Sequence, residues 1–221
     1  MNNPTAATIL GTTSAVCWSI QLLPQILLNY RRHNATGLQP SMMLLWALAG
    51  VPLGVYNIVS SLSIALQIQA QILTSLSLVT WGQVYYYNHK WPKRKCLLST
   101  LLLALLLGST EYALTHLLRL STRRSLTWPT TLMAVLAAAL LAAGVLRHYW
   151  DMYLHRTVRG VSFLFCALDA LGDLTAILSI CFREDIEVLG IVIYGVELGL
   201  WCGVFVAGGV WNFREWVGRK R

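Results

Sequence analysis

The chain has 221 residues, of which 56% are hydrophobic and 12% charged, and its mean hydropathy is +0.58. A soluble domain carries about 25% charged residues, so this composition excludes a water-soluble globular protein. The formal net charge of +8 does not indicate nucleic-acid binding, because the basic residues form short clusters between long apolar stretches, as in loops at a membrane surface.

Seven apolar segments follow one another along the chain, each near the length of about 20 residues that spans a bilayer. The third is unusually polar and the fourth is rich in leucine. The pattern predicts an all-α membrane protein with seven transmembrane helices. In chain order the segments are Ala7 to Leu28, Pro40 to Val59, Leu62 to Tyr86, Cys96 to Leu118, Thr130 to Tyr149, Val161 to Phe182 and Val188 to Trp211.

Lys and Arg residues distinguish the two sides of the predicted bundle. Thirteen fall on one side and four on the other, and the positive-inside rule places the thirteen in the cytosol. The N-terminus is then lumenal or extracellular and the C-terminus cytosolic. The thirteen are Arg31, Arg32, Lys90, Lys93, Arg94, Lys95, Arg147, Arg156, Arg159, Arg214, Arg219, Lys220 and Arg221; the four are Arg119, Arg123, Arg124 and Arg183.

A weak internal repeat has an offset of 123 residues. The stretch from Leu23 to Tyr30 aligns with that from Leu146 to Tyr153, and Gly37 then meets Gly160 without a gap. Two parallel three-helix units follow, residues 7–86 and 130–211, with residues 96–118 as a linker helix. Substrate sites of repeat-built transporters lie between the repeats near the bilayer midplane.

The first copy carries a recognisable motif. Pro24-Gln25, followed by Asn29, Gly37-Leu38 and Trp46, resembles the PQ-loop family, which includes lysosomal and vacuolar cationic amino acid transporters, cystinosin and the SWEET sugar carriers. The resemblance implies a solute transporter in a vacuolar or lysosomal membrane, in which a hinge at the Pro-Gln pair opens and closes the cytosolic gate.

The second copy departs from the motif. Arg147-His148 replaces the Pro-Gln pair and Asp169 takes the place of Trp46, although Gly172-Asp173 matches the Gly-Asp that many family members carry. Since only one copy keeps its proline, a static helix-terminating role for Pro24 stays open beside the hinge. Physically, a proline removes one backbone donor and kinks a helix, and Gln25 can bridge the freed groups.

Three acidic residues lie inside the sixth and seventh segments. Asp169 and Asp173 share one helix face, and Glu197 lies at a similar depth. Each ionised carboxylate costs about 2.5–3.5 kcal/mol at the centre of a membrane helix, and neither segment contains Lys or Arg. We expect them to bind protons, a cationic substrate or both in turn; the competing interpretation is that they are protonated packing residues. Asn57 is a further candidate for binding substrate.

These features predict a proton-coupled transporter of a small cationic solute, with a cationic amino acid as the first candidate. Its expected partners are the solute, protons and the lipid bilayer, and self-association is compatible with the sequence. A sugar uniporter and a non-transporting receptor or assembly factor with the same fold are the competing hypotheses. No enzyme motif, cofactor motif or metal-ligand spacing is present in the sequence.

The orientation can be tested at the sequon Asn34-Ala35-Thr36. Because the positive-inside rule places this loop in the cytosol, Asn34 should stay unmodified when the protein is expressed in a eukaryotic cell. A glycosidase-dependent shift in electrophoretic mobility checks this, with a sequon added at the N-terminus as the positive control. Modification of Asn34 would reverse the predicted orientation.

Overall fold

The computed structural model describes residues 3–123, 126–158, 160–184, 186 and 188–219, and the regular elements in these ranges are α-helices. Arg124, Arg159, Lys220 and Arg221, which entered the charge count, lie outside them. The helices are α1 (Pro4–Ile20), α2 (Leu22–Arg32), α3 (Pro40–Val59), α4 (Ile64–Tyr87), α5 (Lys93–Arg123), α6 (Trp128–His155), α7 (Phe163–Cys181) and α8 (Val188–Arg219).

Within the described ranges, seven helical segments are long and apolar enough to cross a membrane, with α1 and α2 together forming the first. The prediction of a seven-span all-α membrane protein is therefore confirmed. α3 has the predicted bounds, whereas α5 and α6 are longer than predicted at both ends. The extra turns carry basic and aromatic residues, which continue a helix into the headgroup zone although they lower its hydropathy.

The first span is broken at Gln21, between α1 and α2. Pro24 has no N–H to bond the carbonyl four residues earlier, at Ile20, and its ring crowds that turn. The regular helix is therefore interrupted at Gln21, although its backbone angles of φ −53° and ψ −40° stay helical; the position of Pro24 differs from the prediction. The span continues to Arg32 rather than ending near Leu28, so Pro24 lies well inside it.

Helices of the first half pack reciprocally on helices of the second half. α1 lies against α7, and α3 lies against α6. α4 contacts α1, α2 and α3, while α8 contacts α7 and α6. α5 packs on α3 and α4. The division into two three-helix units with a linker stays a prediction, which this reciprocal packing supports.

Two glycine turns meet on the side of the bundle that holds the α2–α3, α4–α5 and α6–α7 connections, called here the basic side; the opposite face is the N-terminal side. Gly37 and Gly160 have φ angles of 94° and 78°. A Cβ atom on Gly160 would overlap the backbone of Gly37 and Leu38. The absence of both side chains is what lets the two halves touch here.

Substitution of Gly160 by alanine should destabilise the protein. The left-handed conformation alone costs a residue with a Cβ about 1–2 kcal/mol, and the overlap with Gly37 adds to that cost. The apparent melting temperature of purified protein in detergent should therefore fall. Gly195→Ala is the matched control, since a Cβ there meets nothing within 4 Å. Equal melting temperatures for the two variants would contradict this account of the contact.

Candidate functional site

Gln25 ties the two halves together on the basic side. Its amide nitrogen donates to the carbonyl of Gly160 at 2.8 Å and to Oδ1 of Asn29 at 2.9 Å. Its amide oxygen accepts from the backbone N–H of Ser162 at 2.6 Å. The side chain is fully buried, and the helix break at Gln21 lies one turn before it. The bonds to Gly160 and Ser162 hold α2 against the turn that begins α7, while the bond to Asn29 stays within α2.

A second contact in the same layer is related to the first by the repeat. His148 occupies the place of Gln25, and Gln39 that of Ser162, at the same offset of 123 residues. Nδ1 of His148 lies 3.3 Å from Oε1 of Gln39. We call the six residues of this layer the basic-side seal: Gln25, Gly37, Gln39, His148, Gly160 and Ser162.

A cavity of about 190 Å³ occupies the other half of the interior. It extends from Trp46 and Asp169 to Arg183, which is exposed on the N-terminal side. Helices α1, α3, α4, α6, α7 and α8 all contribute to its wall. Most of the wall is apolar or aromatic, and its polar and charged residues are Ser14, Gln21, Asn57, Gln69, Asp169, Ser179, Arg183 and Glu197. The interior is therefore sealed on the basic side and hollow towards the opposite side.

Asp169 and Glu197 are the acidic residues of the cavity wall. With its amide nitrogen turned towards Asp169, Gln21 donates to both carboxylate oxygens, at 2.5 and 3.2 Å. The indole of Trp201 also faces Asp169. Glu197 is near enough to repel the charge of Asp169. Two carboxyl groups thus converge on one buried space.

Asp173 is one turn further along α7 and is fully buried, but it does not line the cavity. The indole of Trp18 reaches towards it across Gly172, where a Cβ would collide with the ring. Neither carboxylate oxygen makes a hydrogen bond of standard geometry within the described part of the chain. Glu197 and Asp169 both repel its charge, so Asp173 adds to the acidity of the cluster from behind the wall.

The two apolar segments that carry this cluster contain no cation to neutralise it. The segments 161–182 and 188–211 contain neither Lys nor Arg. A buried carboxylate without a counter-charge is very unfavourable, so such a group is generally protonated, hydrated or paired with a bound cation. Among the described residues, no group of three or more His, Cys, Asp and Glu is arranged to hold a metal ion. The arrangement therefore calls for protons on these carboxyl groups, for water, or for a bound cation.

The repeat shows that the acids belong to one half. The pair Gln21 and Asp169 corresponds to Gly144 and Trp46, which also lie against each other. Likewise Asp173 and Glu197 correspond to Gly50 and Thr74, which are in contact in the first half. The positions of the three acids in the second half are thus occupied by uncharged residues in the first half.

The other residue predicted to bind substrate, Asn57, does line the cavity. Its amide nitrogen donates to the carbonyl of Leu66 at 2.8 Å and so fixes the turn between α3 and α4. Sequence reasoning missed Ser14, Trp18 and Gln21, which form one wall of the cavity. Their spacing of four and then three residues places them on one helix face, and that pattern was visible in the sequence.

Known proteins resemble this chain. The family model described as PQ loop repeat matches residues 6–66. An uncharacterized protein of Schizosaccharomyces pombe is 39% identical over 210 residues, which cover 95% of this chain and 74% of the relative. An uncharacterized membrane protein of Saccharomyces cerevisiae is 30% identical over 210 residues, covering 93% of this chain and 67% of the relative.

Replacing Gln25 by leucine should open the basic-side seal. The change removes the partner of Oδ1 of the buried Asn29 and of the backbone N–H of the half-buried Ser162, and an unsatisfied buried group costs about 1–3 kcal/mol. Cys166 is fully buried one turn after Ser162, so its reaction with a soluble maleimide reports the opening. In a variant whose other cysteines are alanine, the labelling rate should rise about tenfold or more, since 1.4 kcal/mol is tenfold.

The matched control is Gln67→Leu, because Gln67 bonds the carbonyl of Leu62 at the opposite side. This control should leave the labelling of Cys166 unchanged. A variant that keeps Cys17 in place of Cys166 detects general unfolding. Unchanged labelling of Cys166 in Gln25→Leu, or an equal rise at Cys17, would argue against the seal.

Proposed function

The chain belongs to the PQ-loop repeat family of membrane proteins, and we propose that it is a secondary transporter that carries a small cationic solute by alternating access. One observation carries the proposal: an acid-lined cavity lies between the halves, sealed on one side and extending to the exposed Arg183 on the other. A static receptor has no need for such a buried, uncompensated charge cluster.

The transport cycle follows from this arrangement. A cation enters from the N-terminal side and is attracted by Asp169 and Glu197. For it to leave on the basic side, Gln25 and His148 must release Ser162 and Gln39, and the cavity must close at its other end. The helix break at Gln21, one turn before Pro24, provides a point about which α2 would move while α1 stays packed on α7.

Coupling to protons follows because a cation and a proton compete for the same carboxyl groups. A protonated carboxyl group no longer attracts a cation, so the affinity for the cation should increase as the pH rises through the titration of the cluster. If one proton leaves for each cation bound, the affinity changes about tenfold per pH unit.

The orientation and the membrane are part of the proposal. The basic side faces the cytosol by the positive-inside rule, so the cavity opens to the lumen in this structure. Residence in a vacuolar or lysosomal membrane is supported by the family alone. Within that setting, a cationic amino acid is the substrate that the family resemblance favours.

Transport by purified protein in liposomes tests the proposal. Labelled arginine, lysine, agmatine and cadaverine form the substrate panel, with and without a pH gradient. We expect flux of at least one of them, and we expect Asp169→Asn and Glu197→Gln each to reduce it at least tenfold and to remove its pH dependence. Asp173→Asn should weaken the pH dependence through the charge repulsion it removes.

Glu111→Gln is the matched control for Glu197→Gln. Glu111 is also a buried acid in a membrane helix, bonded to the amide of Gln71 at 2.5 Å, but it lies outside the cavity. Its substitution should leave the flux and its pH dependence intact. Undiminished, pH-dependent flux in Asp169→Asn would refute the role of the cavity, and no flux of any compound would favour a receptor.

A further inference from the structure

The cavity is better suited to an organic cation without a carboxylate than to an amino acid. We propose that the substrate is a small amine, guanidine or quaternary ammonium ion with an apolar body. The inference rests on the proposed function and narrows its substrate class. It follows from the aromatic rings that line the cavity beside Asp169 and Glu197, and from the lack of a partner for a substrate carboxylate near these acids.

Aromatic rings accompany the carboxyl groups. Trp18 and Tyr194 lie on the cavity wall with ring centroids 5.2 Å apart, and Trp46 closes its inner end. The face of an aromatic ring attracts a cation, most strongly where water is excluded. Asp169 and Glu197 supply the charge, and the rings supply a surface for the apolar part of the ligand. This combination is typical of sites for alkylated ammonium ions.

An amino acid also needs a partner for its carboxylate, and the cavity offers none near the acids. Arg183 is the basic residue among the lining residues that the structure describes. The helical stretch from Asp169 to Cys181 alone spans about 18 Å at 1.5 Å per residue, and Arg183 lies beyond it. Arg183 therefore lies at the N-terminal end of the cavity, and Asp169 lies at its inner end. A carboxylate placed near the ammonium group would instead face Asp169 and Glu197.

The neutral donors of the wall are partly engaged already. Ser179 donates its hydroxyl to the carbonyl of Ala7 at 2.7 Å, and Asn57 donates to Leu66. The hydroxyl of Ser14 is buried, lines the cavity and has no hydrogen-bond partner in the described part of the chain. The hydroxyl of Ser14 and the amide of Gln69, which also lines the cavity, can orient an ammonium or hydroxyl group of a ligand, but neither replaces the cation that a buried carboxylate requires.

The size of the cavity limits the ligand. Its volume of about 190 Å³ lies below the range of about 300–1,000 Å³ that is typical for drug-sized ligands. A compact monocation fits this space together with the carboxyl groups. The charge, the rings, the missing carboxylate partner and the volume all favour the same class of substrate.

Arginine and two of its analogues test the proposal. Agmatine lacks the carboxylate of arginine, and butylguanidine lacks both the carboxylate and the α-amino group, so the comparison separates the carboxylate from the total charge. Calorimetric titration of the purified protein should give at least tenfold tighter binding of both analogues than of arginine. Asp169→Asn should remove this binding.

The rings are tested at Tyr194. Tyr194→Leu should weaken the binding of butylguanidine several-fold, whereas Tyr194→Phe, which keeps the ring, should retain it. Equal or tighter binding of arginine, with flux intact, would overturn the substrate class and leave the proposed transport standing. If none of the three compounds binds and no cation is transported, the proposed function fails as well.

Discussion

Gly37 and Gly160 meet backbone to backbone, in φ angles that only glycine adopts without strain. Because the two turns touch, Gln25 can reach Ser162, and His148 can reach Gln39, so the basic side is closed by side chains of both halves. The cavity can then extend only towards the N-terminal side. The contact between Gly37 and Gly160 thus accounts both for the closed basic side and for a cavity that extends towards the N-terminal side.

The two halves differ in chemistry at equivalent positions. The first half keeps Pro24 and the glutamine that follows it, and its counterparts to the acids are Trp46, Gly50 and Thr74. The second half has no proline at the corresponding place and carries the carboxyl groups instead. The helix break and the charge therefore lie in different halves, and they meet where Gln21 contacts Asp169. In the proposed transport cycle, this asymmetry would let one weak internal repeat provide both a movable seal and a fixed binding site.

Much of this arrangement could be predicted from the sequence, because long apolar segments and Pro24 are strong local signals, and the weak repeat at an offset of 123 residues relates the two halves. The burial of Asp169, Asp173 and Glu197 followed from their positions in apolar helices. The sequence did not show which of these acids line the cavity and which lies behind its wall, because the rotation of α7 about its own axis depends on its packing against α1. For the same reason Ser14, Trp18 and Gln21 were missed, and Pro24 was placed too near a helix end.

Distances between spin labels across each side of the bundle test the central claim of alternating access most directly. One pair on Thr36 and His155 spans the basic side, and another on Ser61 and Arg183 spans the opposite side; all four residues are exposed. When a transported cation or protons are added, the first distance should lengthen while the second shortens. If both distances stay constant during measured transport, or change in the same direction, the seal is not a gate and the account is wrong.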